Sequence, residues 1–286
     1  MSTYIQPQRL ADALAALRHT PHTVLAGGTD LLPADAHAAG WGAHSDPLPV
    51  LDISAIDELK TLRRTHERVE IGASVTWTEA IASDLPAWFD CVRMAGREVG
   101  GKQIQNRATL AGNICNASPA ADGVPTLLAL DASVRLRSSH AERELPLADF
   151  VLANRRTAIA TDELLTAIVI PIPPDNAKST FLKLGARRYL VISIAMVAVC
   201  VSVHDSRIAD IRISVGACSE VAVRLAELEA RLIGMPLASA AKDIRATDFS
   251  PLNAIDDIRA TATYREHAAG VLVARALDQL NNSEAA

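Results

Sequence analysis

Cysteine is scarce in this chain, with four among 286 residues, and the four stand far apart at Cys91, Cys115, Cys200 and Cys218. No CxxC pair and no Cys/His cluster occurs, so the chain carries no zinc or iron–sulfur signature, and no metal ligand is assigned. Isolated thiols of this kind read as free and buried, which suits a reducing compartment, and a cytoplasmic location is expected. Aromatic residues make up only 3% of the sequence, too few for the stacking platforms that hold single-stranded nucleic acid. Positive charge is short as well: 28 Lys and Arg against 33 Asp and Glu leave a net −5, the wrong balance for a nucleic-acid partner. Long apolar runs are missing. The longest, LVISIAMVAVCVSV at 190–203, has 14 residues, short of the roughly 20 that span a bilayer. Its β-branched content reads as buried strand, so no membrane span is expected. The N-terminus lacks a charged region followed by an apolar one, so no secretion signal is expected. Internal repeats are absent too.

What remains is an ordinary folded composition, 49% apolar and 21% charged, in a chain long enough for two domains. Leu10, Ala13, Leu14 and Leu17 recur at helical spacing ahead of Pro21. An apolar run, Val24–Ala26, then leads straight into Gly27-Gly28-Thr29-Asp30, a strand ending in a tight turn. Residues 33–49 hold three prolines and two glycines and predict a helical or irregular excursion before a strand at Val50–Ile53. A further strand is expected at 69–73. Thr76 and Glu79 form a capping box opening a short helix, and Trp88, Val92, Ala95 and Val99 mark another, stopped by Gly100-Gly101. Val124–Leu130 reads as a helical turn or two, Ser133–Arg137 as a strand, and Leu164–Ile172 as a strand closed by Pro173-Pro174. That double proline with Asp175-Asn176 is the expected domain boundary.

The grammar then changes. Phe181–Arg188, Met196–Val203 and Ile208–Ala217 read as strands, the last two joined by a turn at His204-Asp205-Ser206. Helical patterns follow at 220–233 and 264–280. Strands followed by helices predict an α+β domain with an antiparallel sheet covered on one face by helices.

Two stretches carry chemistry. In VLAGGTDLL (24–32) the glycines expose consecutive backbone N–H groups with no Cβ in the way, a cradle for phosphate oxygens or else an ordinary β-turn. It matches neither G-x-G-x-x-G nor a Walker A loop. In GGKQIQNRATLAGNICNASPAAD (100–122) the side chains are mostly short, neutral and polar. Thr109 and Asn113 bracket Gly112, and Asp122 follows Ser118-Pro119-Ala120-Ala121. Such groups suit a polyhydroxylated ligand, a ribityl or ribose chain, or alternatively a polar loop that satisfies its own backbone.

AGGTDL at 26–31, QIQNRATLAGNICNASPAAD at 103–122, ELLTAIVIP at 163–171 and KLGARR at 183–188 occur in that order. Together they resemble the FAD-binding subunit, or medium chain, of the molybdenum hydroxylase family, which includes xanthine dehydrogenases and aerobic carbon monoxide dehydrogenases. The resemblance covers nearly the whole chain. It implies a two-part FAD-binding domain of the vanillyl-alcohol-oxidase-like type at 1–174, with subdomains of about 1–54 and 55–174. A C-terminal α+β domain of the carbon monoxide dehydrogenase flavoprotein type follows at 177–283.

The resemblance also implies cofactor contacts. Val24, Leu25, Ala26, Gly27, Gly28, Thr29, Asp30 and Leu31 match the loop that holds the pyrophosphate, and Val99 and Gly100 match positions along the isoalloxazine ring. Ala108, Thr109, Gly112 and Asn113 match the second loop, on phosphate and ribityl groups. Cys115, Ser118 and Asp122 match further contacts, with Asp122 on ribose or ribityl hydroxyls. Leu165 matches an apolar contact at the ring edge, and Lys183 a base beside the flavin, where its charge would stabilise the reduced form. Read without the resemblance, Lys183 is also consistent with an exposed strand lysine.

The chain departs from the family pattern in places. Ala111-Gly112 stands where Gly-Gly is common, and Gln105 and Arg107 replace an arrangement with arginine at the earlier place. Ser193 precedes Ile194-Ala195 where many members carry an acid, which makes the flavin's flank less acidic and leaves the acceptor open. The scattered cysteines argue against an additional iron–sulfur cluster. The implied role is redox relay. Electrons from a molybdopterin-binding large subunit would pass through a small subunit with two [2Fe–2S] clusters to FAD, and on to NAD+, a quinone or another acceptor. No side chain is assigned as nucleophile or general base. The rival readings are a self-contained FAD oxidase or dehydrogenase and a non-catalytic nucleotide-binding assembly module.

Overall fold

The computed structural model describes residues 4–33 and 49–283, so the excursion expected over 33–49 falls almost entirely outside the described residues. The chain begins with β1 (Tyr4–Ile5), α1 (Leu10–His19), β2 (Thr23–Leu25) and β3 (Val50–Asp52). The strands form a parallel sheet in the order β1-β3-β2. Leu10, Ala13, Leu14 and Leu17 of α1 are all buried, as their spacing predicts, and Arg18 and His19 sit in its last turn, where positive charge suits the helix dipole. At the end of β3 the buried Asp52 accepts hydrogen bonds from the Tyr4 hydroxyl, from Gln6 Nε2 at 2.9 Å and from Ser54 N at 2.8 Å. The strand expected at Val24–Ala26 begins one residue earlier, because Ala26 already belongs to the bend.

A second body follows. Its elements are β4 (Leu62–Arg64), β5 (Arg68–Gly72), α2 (Trp77–Ala82), α3 (Asp90–Glu98), α4 (Lys102–Gln105), α5 (Leu110–Asn116) and α6 (Gly123–Leu128). Then come β6 (Ser133–Arg137), β7 (Glu142–Pro146), α7 (Leu147–Phe150), the short pair β8 (Val151–Ala153) and β9 (Arg156–Thr157), and β10 (Leu164–Pro171). The main sheet is antiparallel in the order β4-β5-β10-β6-β7. β10, at its centre, is buried along its length except for Pro171, as a continuous apolar run flanked on both sides should be. The capping box forms as read: Thr76 Oγ1 accepts from Glu79 N at 3.2 Å, and Glu79 Oε2 from Thr76 N at 2.7 Å.

After residues 172–177 the chain builds a second antiparallel sheet from β11 (Lys178–Leu184), β12 (Ala195–His204), β13 (Arg207–Gly216) and β14 (Val223–Arg224), in that order. Asp205 and Ser206 have φ of 50° and 59°, so the β12–β13 turn has both central residues left-handed, the twist a two-residue hairpin prefers. α8 (Ala226–Leu232), α9 (Leu237–Ala240) and α10 (Ala262–Asn282) complete the chain.

Both faces of this last sheet are buried. Ala195, Val197, Val199 and Val201 share a core with Leu228, Leu232, Val273 and Leu277 of α8 and α10. The alternate residues Met196, Ala198 and Cys200, with Phe181, join the core of the preceding body, where α3 packs on β11 and α6 on β12 and β13. The period-2 geometry of a strand sends neighbours to opposite faces, which is why residues 195–201 are uniformly apolar. Helices were expected on one face; the N-terminal half supplies cover for the other. Two further expectations shift. The strand expected over Phe181–Arg188 ends at Leu184, where Ile194 N donates to the Leu184 carbonyl at 2.7 Å and the intervening residues leave as a loop. The helix expected over 220–233 starts only at Ala226, because Val223 and Arg224 pair with Val215 and Ser214. Arg224 also donates from Nη1 to Leu128 O at 3.2 Å and to Asp131 Oδ1 at 2.5 Å. Arg212 Nε reaches Asp131 Oδ2 at 2.6 Å.

Candidate functional site

Two bends distant in sequence meet in space. β2 delivers Ala26-Gly27-Gly28, and Gly28 has φ +74°, a left-handed conformation for which glycine has no steric penalty. Gly27 is constrained differently. A Cβ there would lie 2.0 Å from the carbonyl oxygen of Arg107, so the first bend rests directly on the backbone of the second. The second bend is fixed from behind by the approach to α2: Trp77 N donates to Ala108 O at 3.0 Å and Leu110 N to Val75 O at 3.2 Å. The Thr78 hydroxyl donates to Asn106 Oδ1 at 2.7 Å.

Thr109 then caps α5, its Oγ1 accepting from Gly112 N at 2.9 Å. Asn113, one turn on, accepts through Oδ1 from Gly123 N at 3.0 Å, leaving its amide N–H groups without a partner among the described residues. α5 ends at Ala117 with φ 47°. There Ala117 O accepts from Arg155 N at 2.9 Å, and the Arg155 guanidinium hydrogen-bonds Asn116 Oδ1. The β8–β9 turn is thereby tied to the end of α5.

Between these elements lies a cavity of about 600 Å³, within the range of cofactor sites. Fifteen of the nineteen expected site residues line it: Val24, Leu25, Ala26, Gly27, Gly28, Thr29, Asp30, Leu31, Val99, Ala108, Thr109, Gly112, Asn113, Cys115 and Leu165. Trp77, Ile104, Asn116, Arg155, Thr157, Ile159 and Leu164 also line it, and none of these was singled out from the sequence. Arg155 is the consequential one, a cation lining the same cavity as the anion Asp30. Its only local signal is an Asn-Arg turn between two short extended runs. Leu164 and Leu165 line the cavity just before the β-bulge at Thr166 between β10 and β6, a device that bends a strand and redirects its side chains.

The remaining four expected residues stand outside the lining. Gly100 follows Val99 with φ +56° and packs under Ile104. Ser118 turns inward to its own loop, where its Oγ accepts from Ala120 N at 3.3 Å. Asp122 and Lys183 are paired with each other, Lys183 Nζ donating to Asp122 Oδ2 at 2.8 Å, and the Ser193 hydroxyl donates to Asp122 Oδ1 at 2.9 Å. Burial pushes the Asp122 carboxyl up, opposed by the ammonium of Lys183 and the hydroxyl of Ser193. Lys183 borders a second cavity of about 630 Å³ lined also by Arg97, Glu98, Arg187 and Arg188.

The first cavity fits a dinucleotide. The N–H groups of Gly27, Gly28, Thr29 and Asp30 make no hydrogen bond to another described residue. The buried Trp77 Nε1 likewise lacks an acceptor. Backbone donors left open beside a cavity are what a diphosphate requires, while Thr109 and Asn113 offer a hydroxyl and an amide to a polyol. Among the described residues no group of His, Cys, Asp and Glu could hold a metal ion, and no helix is long and apolar enough to cross a membrane. The four cysteines are free, but only Cys91, Cys200 and Cys218 are buried as expected; Cys115 is exposed at the cavity.

Residues 1–173 match the family described as the FAD binding domain in molybdopterin dehydrogenase, and residues 180–280 the CO dehydrogenase flavoprotein C-terminal domain. The chain is 31% identical over 285 residues to the nicotine 6-hydroxylase medium subunit of Paenarthrobacter nicotinovorans, covering 96% of this chain and 95% of that one. It is 31% identical over 246 residues to the nicotinate dehydrogenase FAD-subunit of Eubacterium barkeri, covering 82% and 80%. Among solved structures it resembles a chain of the reconstituted CO dehydrogenase from Oligotropha carboxidovorans, with a TM-score of 0.89, 27% identity and coverage of 97% and 96%.

Proposed function

This chain belongs to the family of FAD-binding domains in molybdopterin dehydrogenases, and from that premise we propose that it is the electron-relay subunit of a three-component hydroxylase. Its partners would be a large molybdopterin-binding subunit and a small subunit carrying two [2Fe–2S] clusters. Electrons would leave for NAD+, a quinone or another oxidant. The chain is an oxidoreductase subunit with the two-domain fold of the CO dehydrogenase medium chain. We place its domain boundary at Pro173-Pro174-Asp175-Asn176, between a FAD-binding domain at 1–174 and a C-terminal domain at 177–283.

The observation that carries the reading is the contact of the two bends at Gly27 and Arg107, with one cavity enclosed between them. When bound, FAD supplies the exchange of electrons between the iron–sulfur partner and the acceptor. The chain's residues supply position and electrostatics. The N–H groups of Gly27 to Asp30 would hold the diphosphate, which places two negative charges against backbone donors and needs no lysine. Thr109 and Asn113 would orient the polyol, Asn113 through amide N–H groups that have no partner among the described residues. Val99, Leu164 and Leu165 would exclude water from the ring. Lys183, held by Asp122, would sit at the flavin's flank on the side of the second cavity.

Purification from native cells tests the proposal. The expected result is a complex of three chains containing molybdenum, iron and one FAD for each copy of this chain. Its flavin should be reoxidised in stopped flow by one acceptor class, offered in turn as NAD+ and a soluble quinone. Turnover of an organic substrate by this chain alone would support a self-contained oxidase instead, and a colourless protein that takes up no FAD would end the reading.

A further inference from the structure

Asp122 is gripped from two sides by one loop. Lys183, next to the last residue of β11, donates to Oδ2, and Ser193, two residues before β12, donates to Oδ1. The residues between them carry Arg187 and Arg188 and expose Tyr189, Leu190 and Ile192. The neck of this loop is closed by Ile194 N donating to Leu184 O at 2.7 Å, and the buried Arg265 holds Ile194 O at 2.6 Å. Ser193 is therefore a fixed point rather than a mobile loop residue; it is 2% exposed and Asp122 5%.

A carboxylate with one oxygen on an ammonium and the other free can swing about its last torsion and carry the ammonium with it. A hydroxyl on the second oxygen removes that freedom. We infer that Ser193 is a positioning residue for Lys183, acting through Asp122, and that it fixes where the lysine's positive charge stands at the flavin's flank. Because Ser193 is neutral, the cluster holds one cation and one anion. An acid in its place would set a second negative charge against Asp122, and like charges that close are strongly unfavourable when buried.

The inference deepens the proposed function and rests on its placement of Lys183 beside FAD, so the test has two arms. In the first, trace acetylation followed by mass spectrometry reads the reactivity of the Lys183 amine in the intact complex and in the FAD-stripped chain. Exposed Lys242 serves as the internal standard. Ser193→Ala should raise Lys183 labelling by about tenfold, the ratio that loss of one hydrogen bond to a charged group produces. Ser193→Thr, which keeps the hydroxyl, should restore the slow rate. Unchanged Lys183 labelling in folded Ser193→Ala overturns the inference, as does a rise that Ser193→Thr fails to reverse.

The second arm is the midpoint potential of the bound flavin. It should fall in Ser193→Ala, fall further in Ser193→Asp and stay at the wild-type value in Ser193→Thr. Faster labelling with an unmoved potential upholds Ser193 as the positioner of Lys183 and overturns instead the placement of that lysine beside the flavin. If Ser193→Ala fails to fold, Ser193→Asp carries both arms. An unchanged potential and unchanged labelling in that variant defeat the inference.

Discussion

Around the first cavity the groups able to meet a ligand include the backbone N–H groups of Gly27 to Asp30 and the neutral side chains of Thr109 and Asn113, with Arg155 a cation in the lining. Asp122, further along the second stretch, makes with the distant Lys183 and Ser193 a charged cluster that stands outside that cavity's lining. The two are joined at one hydrogen bond, from Gly123 N to Asn113 Oδ1. The cradle is a property of backbone shape, and any β-carbon that spoils the approach of the two bends should damage it. The cluster is a property of side-chain identity, and its energy lies in keeping a buried ammonium opposite a buried carboxylate. Stability should thus depend most on the cluster and FAD retention most on the cradle.

The sharpest test of the comparison is Asp122→Ala, which strands Lys183 in a buried site and should cost about 3–5 kcal/mol in a denaturant titration. The double variant Asp122→Leu with Lys183→Met should recover most of that loss, since two apolar groups leave no uncompensated charge. Next comes Gly27→Ala. The 2.0 Å approach to Arg107 O must be relieved by moving backbone, at about 1–3 kcal/mol, while flavin absorbance per chain should drop more steeply than in Asp122→Ala. If the two variants rank the same way in both assays, cradle and cluster are not separate systems.

Thr109→Ala removes the α5 cap and should cost about 1 kcal/mol, read as a lower unfolding midpoint together with a smaller loss of FAD. A pH-dependent effect is expected in the C-terminal half, at Asp257. Burial opposes its ionisation, but hydrogen bonds from Arg259 N and from the guanidinium groups of Arg265 and Arg259 outweigh this and hold its carboxyl at about 2. A folded pKa below the unfolded value of roughly 3.9 gives stability that is complete above that value. It is lost as pH falls towards 2. Wild type should exceed Asp257→Asn in stability at pH 5, and the gap should close between pH 4 and pH 2 in acid titrations.

Local rules made much of this fold legible. α1 follows from four apolar residues at helical spacing, the start of α2 from the reciprocal Thr76–Glu79 box, and β6 from alternation alone. The two bends were legible through the four ordered motifs of the family resemblance; by composition alone the first was also an ordinary β-turn and the second a self-satisfied polar loop. Longer-range features left no such trace. Lys183 and Asp122 lie 61 residues apart, and no periodicity links them. Arg155 reaches the cavity only because a hairpin is tied to the end of α5. β14 has two residues, too few for any alternation, and its identity comes wholly from its partner strand. Residues 185–188 continue the apolar-and-basic pattern of β11, yet the chain leaves the sheet there, in a loop closed by Ile194 N on Leu184 O and by Ser193 on Asp122.

The sheet that runs from β11 to β14 is owned jointly by two interiors. Cutting the chain at the double proline would strip α3 and α6 of their cover and leave the first fragment with a greasy wall towards water. The two halves of the gene are therefore poor candidates for separate expression. Complementation from two plasmids should yield yellow protein only when both fragments are made in the same cell.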